Sequence, residues 1–327
     1  MNKKNLIVFG NSTSFITNIL FEGTLKSLGD FNEIDKVVFI DASTRVRRLG
    51  SLLKHLYYLI SYGSDSIYID KKDFKSKILE KCREYNISFI VPLNYDINTS
   101  WLRKKIKEFQ PAIAILIGCP QIMQKELIAC FDRIINYHNS ILPKYRGIYA
   151  THWARYFHEP TTGYSFHIVN ENIDDGNIIF QSSFKDNNQI SVLDMDIIKA
   201  QDAALNINIA IDALLKNKAG QPQFDVGSYF GKKELRNIIT INDTTVLDYR
   251  EIKRRIDIFS LVIIKNSHNR YLFINNVERI DLPCNKPKFF ESKDKICFKV
   301  IEETGIEKIY HKLKFGNSYR FIWKFID

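Results

Sequence analysis

The stretch NYHNSILPKYRG, residues 136–147, holds the side chains best suited to chemistry. Asn136 and His138 end an apolar run whose composition predicts a β-strand, and strand alternation places both side chains on the same face of a sheet. An amide beside an imidazole at the carboxyl end of a strand is suited to acyl or formyl transfer, because the amide can stabilise a tetrahedral oxyanion while the imidazole handles a proton. By itself, a histidine at such a position is more often a structural hydrogen-bonding group than a catalyst.

A second polar cluster follows in TTGYSFHIVNENIDDGNIIFQ, residues 161–181. Asp174 and Asp175 lie in a predicted turn, and His167 lies in the strand before it. A carboxylate on such a hairpin can fold back toward His138, set its tautomer, or accept a proton relayed from an attacking amine. Without further support, adjacent aspartates in a turn predict only an Asx-type turn.

These segments need a sheet to bring them together, and the first part of the chain predicts one. Strand-like apolar runs alternate with helical patterns, the strands at 5–10, 36–41, 87–93, 112–118 and 133–138 and the helices at 14–28, 72–85, 98–109 and 121–130. The alternation predicts a Rossmann-like α/β fold, a mostly parallel sheet with helices on both faces. In such sheets ligands bind beyond the carboxyl ends of the strands.

Beyond the opening motif the pattern changes. Residues 164–169 and 177–184 predict an antiparallel extension of the sheet, and residues 192–217 predict one long helix. We therefore expect three parts: a domain at 1–220 that carries the candidate chemistry, a linker at 221–238, and a smaller β-rich C-terminal domain at 239–327.

The composition is that of an ordinary globular protein. Hydrophobic residues make up 45% of the 327 residues and charged residues 26%, and no run reaches the roughly 18 uninterrupted apolar residues of a membrane helix. The N-terminal apolar run is broken too early for a signal peptide. The five cysteines are scattered and never form a CxxC pair, which indicates neither a disulfide framework nor a zinc site. We expect a cytoplasmic protein with no metal and no membrane span.

The formal net charge of +10 favours anionic ligands. Lysine and arginine can neutralise nucleic-acid phosphates, but here the basic residues are spread along the chain without a run of five or six. We expect no nucleic-acid partner and attribute the charge to solvated faces and small anionic ligands.

Taken together, three segments resemble the formyltransferases that use N10-formyltetrahydrofolate, in their order and at similar spacing: NYHNSILPKYRG (136–147), TGYSFH (162–167) and IDDG (173–176). The resemblance implies that Asn136, His138 and Asp174 form the catalytic group. Asp174 is preferred to Asp175 because it stands two residues before the glycine, where the acid of the family lies. Ser165 occupies a position that is usually threonine, and it keeps the hydroxyl.

Within that family the chain is most similar to the sugar N-formyltransferases, which act on amino sugars carried by nucleoside diphosphates. The likeness rests on NYDIN (94–98), GCPQIM (118–123) and HWARYFHEPTTG (152–163). It implies that the loop after the fourth strand lines the folate pocket with Pro120, Gln121, Ile122 and Met123. Core packing at the start of a helix would explain the last two of these equally well.

Substrate contacts are expected from three other segments. The resemblance implies Asn94 and Asp96 for the sugar region. Asn11 lies in a turn whose backbone N–H groups could hold a phosphate, although a plain strand-to-helix turn is the commoner explanation. The loop after the catalytic strand contributes the run Lys144, Tyr145 and Arg146. This run either contacts the diphosphate or only holds the loop.

The resemblance thus implies transfer of a formyl group from N10-formyltetrahydrofolate, as co-substrate, to the amine of an amino-dideoxy sugar linked to dTDP, GDP or UDP. The product would serve surface polysaccharide or glycan synthesis, such as that of lipopolysaccharide, and family habit implies a homodimer. Two alternatives stay open. One is a methionyl-tRNA formyltransferase, favoured by the basic charge and by a tail that could be an OB-like barrel. The other is a non-catalytic nucleotide-binding module.

Overall fold

The structure is a computed structural model, and it describes residues 3–43, 71–242, 249–260, 262–265, 271–274, 278–280, 289–292, 295–301 and 307–313. These residues fall into two compact units, the first ending at Tyr229 and the second beginning at Phe230.

A mostly parallel sheet forms the centre of the first unit. Its strands are β1 (Lys4–Gly10), β2 (Ile34–Asp41), β3 (Ser88–Ile90), β4 (Ala112–Ile117), β5 (Arg133–His138), β7 (Thr161–Ile168) and β8 (Ile178–Lys185). The short strand β6 (Arg146–Gly147) is not part of this sheet. The seven strands lie in the order β3-β2-β1-β4-β5-β7-β8. The pairs among β1 to β5 are parallel, whereas β7 and β8 extend the edge antiparallel. The predicted sheet is confirmed.

Helices cover both faces of this sheet. They are α1 (Phe15–Ser27), α2 (Lys71–Glu84), α3 (Ser100–Lys107), α4 (Lys125–Ile128), α5 (Ala150–Tyr156), α6 (Val192–Leu205) and α7 (Ile207–Leu215), with 3₁₀ turns at Leu28–Asp30 and Leu93–Tyr95. Leu6 and Val8 of β1 pack in a buried cluster with residues of α1, α6 and α7. Ile7 and Phe9 pack on the opposite face with residues of α3 and α4. Successive residues are therefore buried on opposite sides, as continuous apolar strands predict.

The strand order creates a crevice at one end of the sheet. β2 and β3 lie on one side of β1, and β4 and β5 lie on the other, so the order reverses between β1 and β4. The loops that follow these two strands meet there, since the Asn11 N–H donates to the Gly118 carbonyl at 3.3 Å. Open α/β sheets bind their ligands at such a point, beside the end of β5.

The helix predicted at 192–217 is two helices. α6 ends and α7 begins around Asn206, whose backbone is not helical (φ −103°, ψ 7°). The Asn206 amide donates to the Asp202 carbonyl at 2.9 Å, a local side-chain bond that competes with continued helix.

The helix predicted at 121–130 is much shorter, because α4 covers only Lys125–Ile128. The Asn98 amide donates to the Ile122 carbonyl at 3.0 Å, and Asn98 Oδ1 accepts from the Gln124 N–H at 2.9 Å. These bonds hold the residues before α4 as a loop.

The second unit is rich in β-strands. The boundary between the units falls within β9 (Tyr229–Phe230). The elements that follow are α8 (Lys232–Ile239), β10 (Thr240–Asn242), α9 (Tyr249–Phe259), β11 (Val262–Lys265), β12 (Tyr271–Ile274), β13 (Glu278–Ile280), β14 (Phe289–Ser292), β15 (Lys295–Ile301) and β16 (Glu307–Leu313). Three strands form the sheet β10-β11-β12 and four form the sheet β13-β16-β15-β14. The predicted β-rich C-terminal part is confirmed, and α8 begins inside the stretch predicted as a linker. In the described ranges, no helix combines the length and the apolar character that a membrane crossing requires.

Candidate active site

β5 and β7 bring polar side chains together at the carboxyl end of β5. Asn136 and His138 are separated by one residue of β5, so their side chains share a face. In the antiparallel pairing with β7, Asn136 is opposite His167 and His138 is opposite Ser165. Directly opposed residues have neighbouring side chains, so an amide and both imidazoles lie on one face.

The turn between β7 and β8 brings Asp174 back over that face. The Asp174 backbone is left-handed (φ 50°), a conformation that aspartate adopts more readily than most residues. Gly176 holds the end of the turn against β7, where an added Cβ would lie 1.9 Å from the Ile168 carbonyl oxygen. Only glycine permits so close an approach, which explains why glycine follows the acid.

The three predicted catalytic groups converge at Asp174. Its Oδ2 lies 3.4 Å from Nδ1 of His138 and accepts a 2.9 Å hydrogen bond from the Gly147 N–H. Its Oδ1 accepts from Nδ2 of Asn136 at 3.3 Å and lies 3.3 Å from Nε2 of His167. Only 12% of the Asp174 side chain is exposed, so these contacts are poorly screened by water.

His138 is oriented by the loop that follows its strand. Its Nε2 lies 2.8 Å from the Tyr145 carbonyl oxygen. Because a carbonyl only accepts, Nε2 carries the proton of the neutral ring and Nδ1 keeps a lone pair facing Asp174. Nδ1 is therefore the atom that can take a proton, and the carboxylate stabilises the imidazolium that results.

His167 belongs to this group, although the sequence argument did not assign it to the site. Its Nδ1 donates to the Ile168 carbonyl at 3.0 Å, so its Nε2 accepts from the Asn136 amide at 3.0 Å. Both amide hydrogens of Asn136 thus have acceptors, His167 and Asp174, which fixes the orientation of the amide. The signal for His167 is its place in the TGYSFH motif, but its contact depends on the pairing of β5 with β7.

Burial and charge set the protonation of the site. Burial lowers the pKa of His138 below its ordinary value, and the nearby carboxylate only partly offsets this. Burial also raises the pKa of Asp174. The positive charge that His138 can carry and the hydrogen bond from the Gly147 N–H outweigh it and hold this pKa well below its usual range. The resting site pairs a neutral imidazole with an ionised carboxylate, an arrangement that can accept a proton.

Buried hydroxyls shape the loop after β5. Ser165 is 0% exposed, donates to the Ser140 carbonyl at 2.6 Å and accepts from the Leu142 N–H at 3.1 Å. Ser140 donates in turn to the Lys144 carbonyl at 2.6 Å. The hydroxyl that Ser165 keeps in place of a threonine therefore holds this loop.

A fully buried lysine lies behind the same loop. Lys199 of α6 is 0% exposed. Its Nζ donates to the Asn139 carbonyl at 3.2 Å and to the hydroxyls of Thr151 and Thr162 at 2.5 and 3.2 Å. Burial lowers the pKa of Lys199 to about 8, although Asp196 at 3.6 Å supports its charge. Sequence reasoning missed this residue because lysine in a helix usually predicts a solvated position.

The residues predicted to line a folate pocket do not all reach the surface. Pro120 and Ile122 are exposed beside the end of β4, Ile122 by 65%. Met123 is buried in the core cluster that contains Ile7. Its apolar side chain packs beneath the loop, so core packing accounts for Met123, while Ile122 offers a free surface.

Gln121, the fourth of these residues, joins neighbouring loops. Its Nε2 donates to the Ala42 carbonyl at 2.7 Å and to the Tyr95 carbonyl at 2.9 Å. It therefore holds the segment that carries Asn94 and Asp96, both of which are exposed at the same end of the sheet.

Asn11 forms the plain turn that was the commoner explanation for its sequence. Its Oδ1 accepts from the Thr13 N–H at 3.0 Å and from the Ser43 hydroxyl at 2.8 Å. These bonds join the loops that follow β1 and β2.

The run from Lys144 to Arg146 is mostly engaged in holding its loop. The Tyr145 ring is buried and its hydroxyl donates to Glu159 at 2.9 Å. Arg146 pairs with Asp175 at 2.7 Å. Lys144 contacts Glu159 at 3.0 Å, but 61% of its side chain is exposed. Of the two roles considered, these contacts support loop holding for Tyr145 and Arg146.

No group of three or more histidine, cysteine, aspartate or glutamate side chains within the described ranges is arranged to hold a metal ion.

Comparison with known proteins shows that the segment carrying this site is similar to a known family. Residues 94–196 match the family model described as formyl transferase, and this segment includes Asn136, His138 and Asp174. The methionyl-tRNA formyltransferase of Thermodesulfovibrio yellowstonii is 36% identical over 121 residues, which are 36% of this chain and 37% of that protein. The chain thus spans about a third of the length of this relative.

Solved structures share the fold. A sugar N-formyltransferase from Shewanella sp FDAARGOS_354 is 16% identical with a TM-score of 0.58, and the match covers 84% of this chain and 97% of that one. An N-formyltransferase from Helicobacter canadensis, in complex with folinic acid and dTDP-3-aminofucose, is 19% identical with a TM-score of 0.52, covering 95% and 100% of the two chains. At these identities the likeness concerns the fold alone. The match to the formyl transferase family model concerns residues 94–196, the segment that carries the site.

Proposed function

We propose that the protein transfers the formyl group of N10-formyltetrahydrofolate to the amine of a nucleotide-linked amino sugar. The observation that carries this proposal is the convergence of Asn136, His138 and Asp174 at the carboxyl end of β5. The similar Helicobacter protein was crystallised with folinic acid and dTDP-3-aminofucose, which supports a folate donor and a nucleotide-sugar acceptor.

The first step is attack of the neutral amine on the formyl carbon. As the C–N bond forms, negative charge develops on the formyl oxygen, where an Asn136 amide hydrogen can be shared. The proton that leaves the amine passes to Nδ1 of His138, since Nε2 is held by the Tyr145 carbonyl. Asp174, at 3.4 Å, stabilises the imidazolium.

The second step is collapse of the tetrahedral intermediate. The bond between the formyl carbon and N10 of the folate breaks, and the proton held by His138 passes to N10. N10 leaves as a neutral amine of tetrahydrofolate, and the substrate amine becomes a formamide. Loss of one oxyanion donor typically costs about 10²–10³ in rate, so Asn136→Ala should fall in that range.

The loops at the end of the sheet supply places for both reactants. We assign the folate to the exposed surface of Pro120 and Ile122 and the nucleotide sugar to the crevice between β1 and β4, near Asn94 and Asp96. The proposal includes a cytoplasmic homodimer that serves surface polysaccharide or glycan synthesis, and light scattering of the purified protein tests the dimer.

The test is a screen of dTDP-, GDP- and UDP-linked amino sugars with N10-formyltetrahydrofolate. The expected result is one acceptor class whose mass increases by a formyl group, with loss of that product in His138→Ala. If every acceptor is bound but none is formylated, the non-catalytic nucleotide-binding module is the better description.

A second candidate is formylation of methionyl-tRNA. It is favoured by the 36% identity to the Thermodesulfovibrio enzyme and by the net charge of +10. Formylation of methionyl-tRNA with no reaction on any amino sugar would establish this candidate in place of the first.

A further inference from the structure

Residues that follow Gly220, predicted as the start of a linker, lie against the candidate active site. Gln223 reaches the turn that carries Asp174, and Ser228 reaches the loop that orients His138. Both residues belong to the first compact unit, which ends at Tyr229. We call residues 221–229 the strap.

Gln223 uses its whole amide on the site. Its Nε2 donates to the Asp174 carbonyl at 3.0 Å and to the Gly176 carbonyl at 2.8 Å. Its Oε1 accepts from Nε and Nη2 of Arg146 at 3.2 and 2.7 Å. A single side chain therefore joins the Asp174 turn to the loop after β5.

Arg146 closes the same connection from the other side. Its Nη1 lies 2.7 Å from Oδ1 of Asp175, while its Nε and Nη2 face Gln223. Only 19% of the Arg146 side chain is exposed. A guanidinium that already serves a carboxylate and an amide has few donors left for a substrate phosphate.

The strap also secures the backbone that orients His138. The Ser228 hydroxyl accepts from the Tyr145 N–H at 2.8 Å, and the Ser228 carbonyl accepts from the Arg146 N–H at 2.8 Å. The Tyr145 carbonyl is the group that holds Nε2 of His138. Gly227 allows the strap to approach this closely, because a Cβ there would lie 2.3 Å from the Pro143 carbonyl oxygen.

We propose that Gln223 and Arg146 are positioning residues, which fix the Asp174 turn against the loop after β5 so that Asp174 faces His138 and Asn136. Arg146 then serves the geometry of the carboxylate and does not bind the diphosphate. This inference rests on the proposed function, and it assigns Gln223 and Arg146 to the positioning of Asp174.

Two substitutions test the donor half of the Gln223 amide, Nε2, and the acceptor half, Oε1. Gln223→Glu keeps an acceptor for Arg146 but places a carboxylate oxygen against the carbonyls of Asp174 and Gly176, whereas Gln223→Met removes both halves. We expect kcat to fall by about 10²-fold in both variants, with KM for the amino sugar within about twofold of wild type. Gln221→Ala is the matched control, since the exposed Gln221 pairs with Ile178 only through its backbone. Wild-type kcat in Gln223→Glu would overturn the role of the donor half.

Arg146→Met tests whether Arg146 positions the Asp174 turn or binds the diphosphate. The expected result is a lower kcat with unchanged affinity for dTDP, GDP and UDP, measured by calorimetry. An affinity for the nucleotide that binds best lowered by about tenfold or more would show that Arg146 is a phosphate ligand and would overturn its assignment.

A readout without turnover separates this inference from the proposed function. Imidazole ¹⁵N spectra report the contact between Asp174 and Nδ1 of His138 in the free protein. We expect the His138 signals to shift in Gln223→Met and to match wild type in Gln221→Ala. If the wild type formylates no acceptor, the proposed function fails while these spectra still decide the position of Asp174. Unchanged His138 signals in a folded Gln223→Met protein would overturn the inference.

Discussion

At the scale of single residues, the negative charge of Asp174 is expected to have a large effect on the reaction rate, because it faces His138. Asp174→Asn keeps the size of the side chain but removes the negative charge that stabilises the His138 imidazolium. We expect kcat to fall by about 10²–10⁴-fold with little change in KM, because the charge acts after the amine begins its attack. Steady-state kinetics measure this. Glu171→Gln, an exposed acid on the same turn, is the control and should match wild type.

Protonation of His138 predicts an acid limb in the rate profile. Burial lowers the pKa of His138 below its ordinary value of 6.5, so the base is neutral above that pH and is lost as the pH falls through the folded value. Asp174 adds no break in this window because its pKa lies well below its usual range. The contribution of His138 to kcat/KM should therefore be complete above pH 6.5 and be lost below it, in addition to the titration of the substrate amine. A His138 midpoint above 6.5 in its imidazole ¹⁵N signals would contradict this account.

The free energy of unfolding should also fall as the pH falls, and the residue responsible is His152. Burial lowers the pKa of His152 to about 4 from 6.5, so the unfolded chain takes up this proton first and the folded state loses stability as the pH falls from 6.5 toward 4. His152→Gln should flatten the dependence of Tm on pH across that range and leave the acid limb of kcat/KM in place. His158→Gln, an exposed histidine near the same helix, is the control.

At the level of elements, Lys199 ties α6 to the loop after β5. Lys199→Met leaves Asp196 without its buried cation, and breaking a buried pair in this way typically costs about 3–5 kcal/mol of the free energy of unfolding. Urea denaturation measures the loss. Adding Asp196→Asn should restore part of it, because the uncompensated charge is then gone.

Lys216→Met provides the comparison on the neighbouring helix terminus. Lys216 pairs with Asp212, but 66% of its side chain is exposed, so its removal should change the free energy of unfolding far less than removal of Lys199. If Lys199→Met and Lys216→Met lowered the free energy of unfolding equally, burial would not determine how much Lys199 contributes to stability.

The elements differ in how far the sequence predicts them. The bounds of β5 agree with the predicted 133–138, because burial on both faces demands a continuous apolar run. Asn136 and His138 stood out as polar residues at the end of this apolar run, whereas Asp174 was singled out by the resemblance of IDDG to the family motif. His167 and Gln223 were not assigned, since their contacts depend on strand register and on the path of the strap, which local patterns do not encode.

At the scale of the whole molecule, the net charge bears on which acceptor the protein binds. The first unit shares the fold of the sugar N-formyltransferase from Shewanella and carries the site that we propose for formyl transfer, while the net charge of +10 would attract either a nucleoside diphosphate or a tRNA. A tRNA held only by this spread charge makes phosphate contacts without base contacts. Binding of that kind weakens steeply as the salt concentration rises.

A competition between the two acceptors decides the question. With methionyl-tRNA and the preferred amino-sugar nucleotide in one reaction, we expect formylation of the sugar alone, at a kcat/KM at least about 10²-fold higher, because a site that hydrogen-bonds a particular acceptor rejects one lacking those groups. Raising the salt from about 50 to about 200 mM should abolish tRNA binding that depends only on phosphate contacts. The rate of sugar formylation should stay within a few-fold of its value at low salt. Preferential formylation of the tRNA at the higher salt would show that the acceptor is nucleic acid.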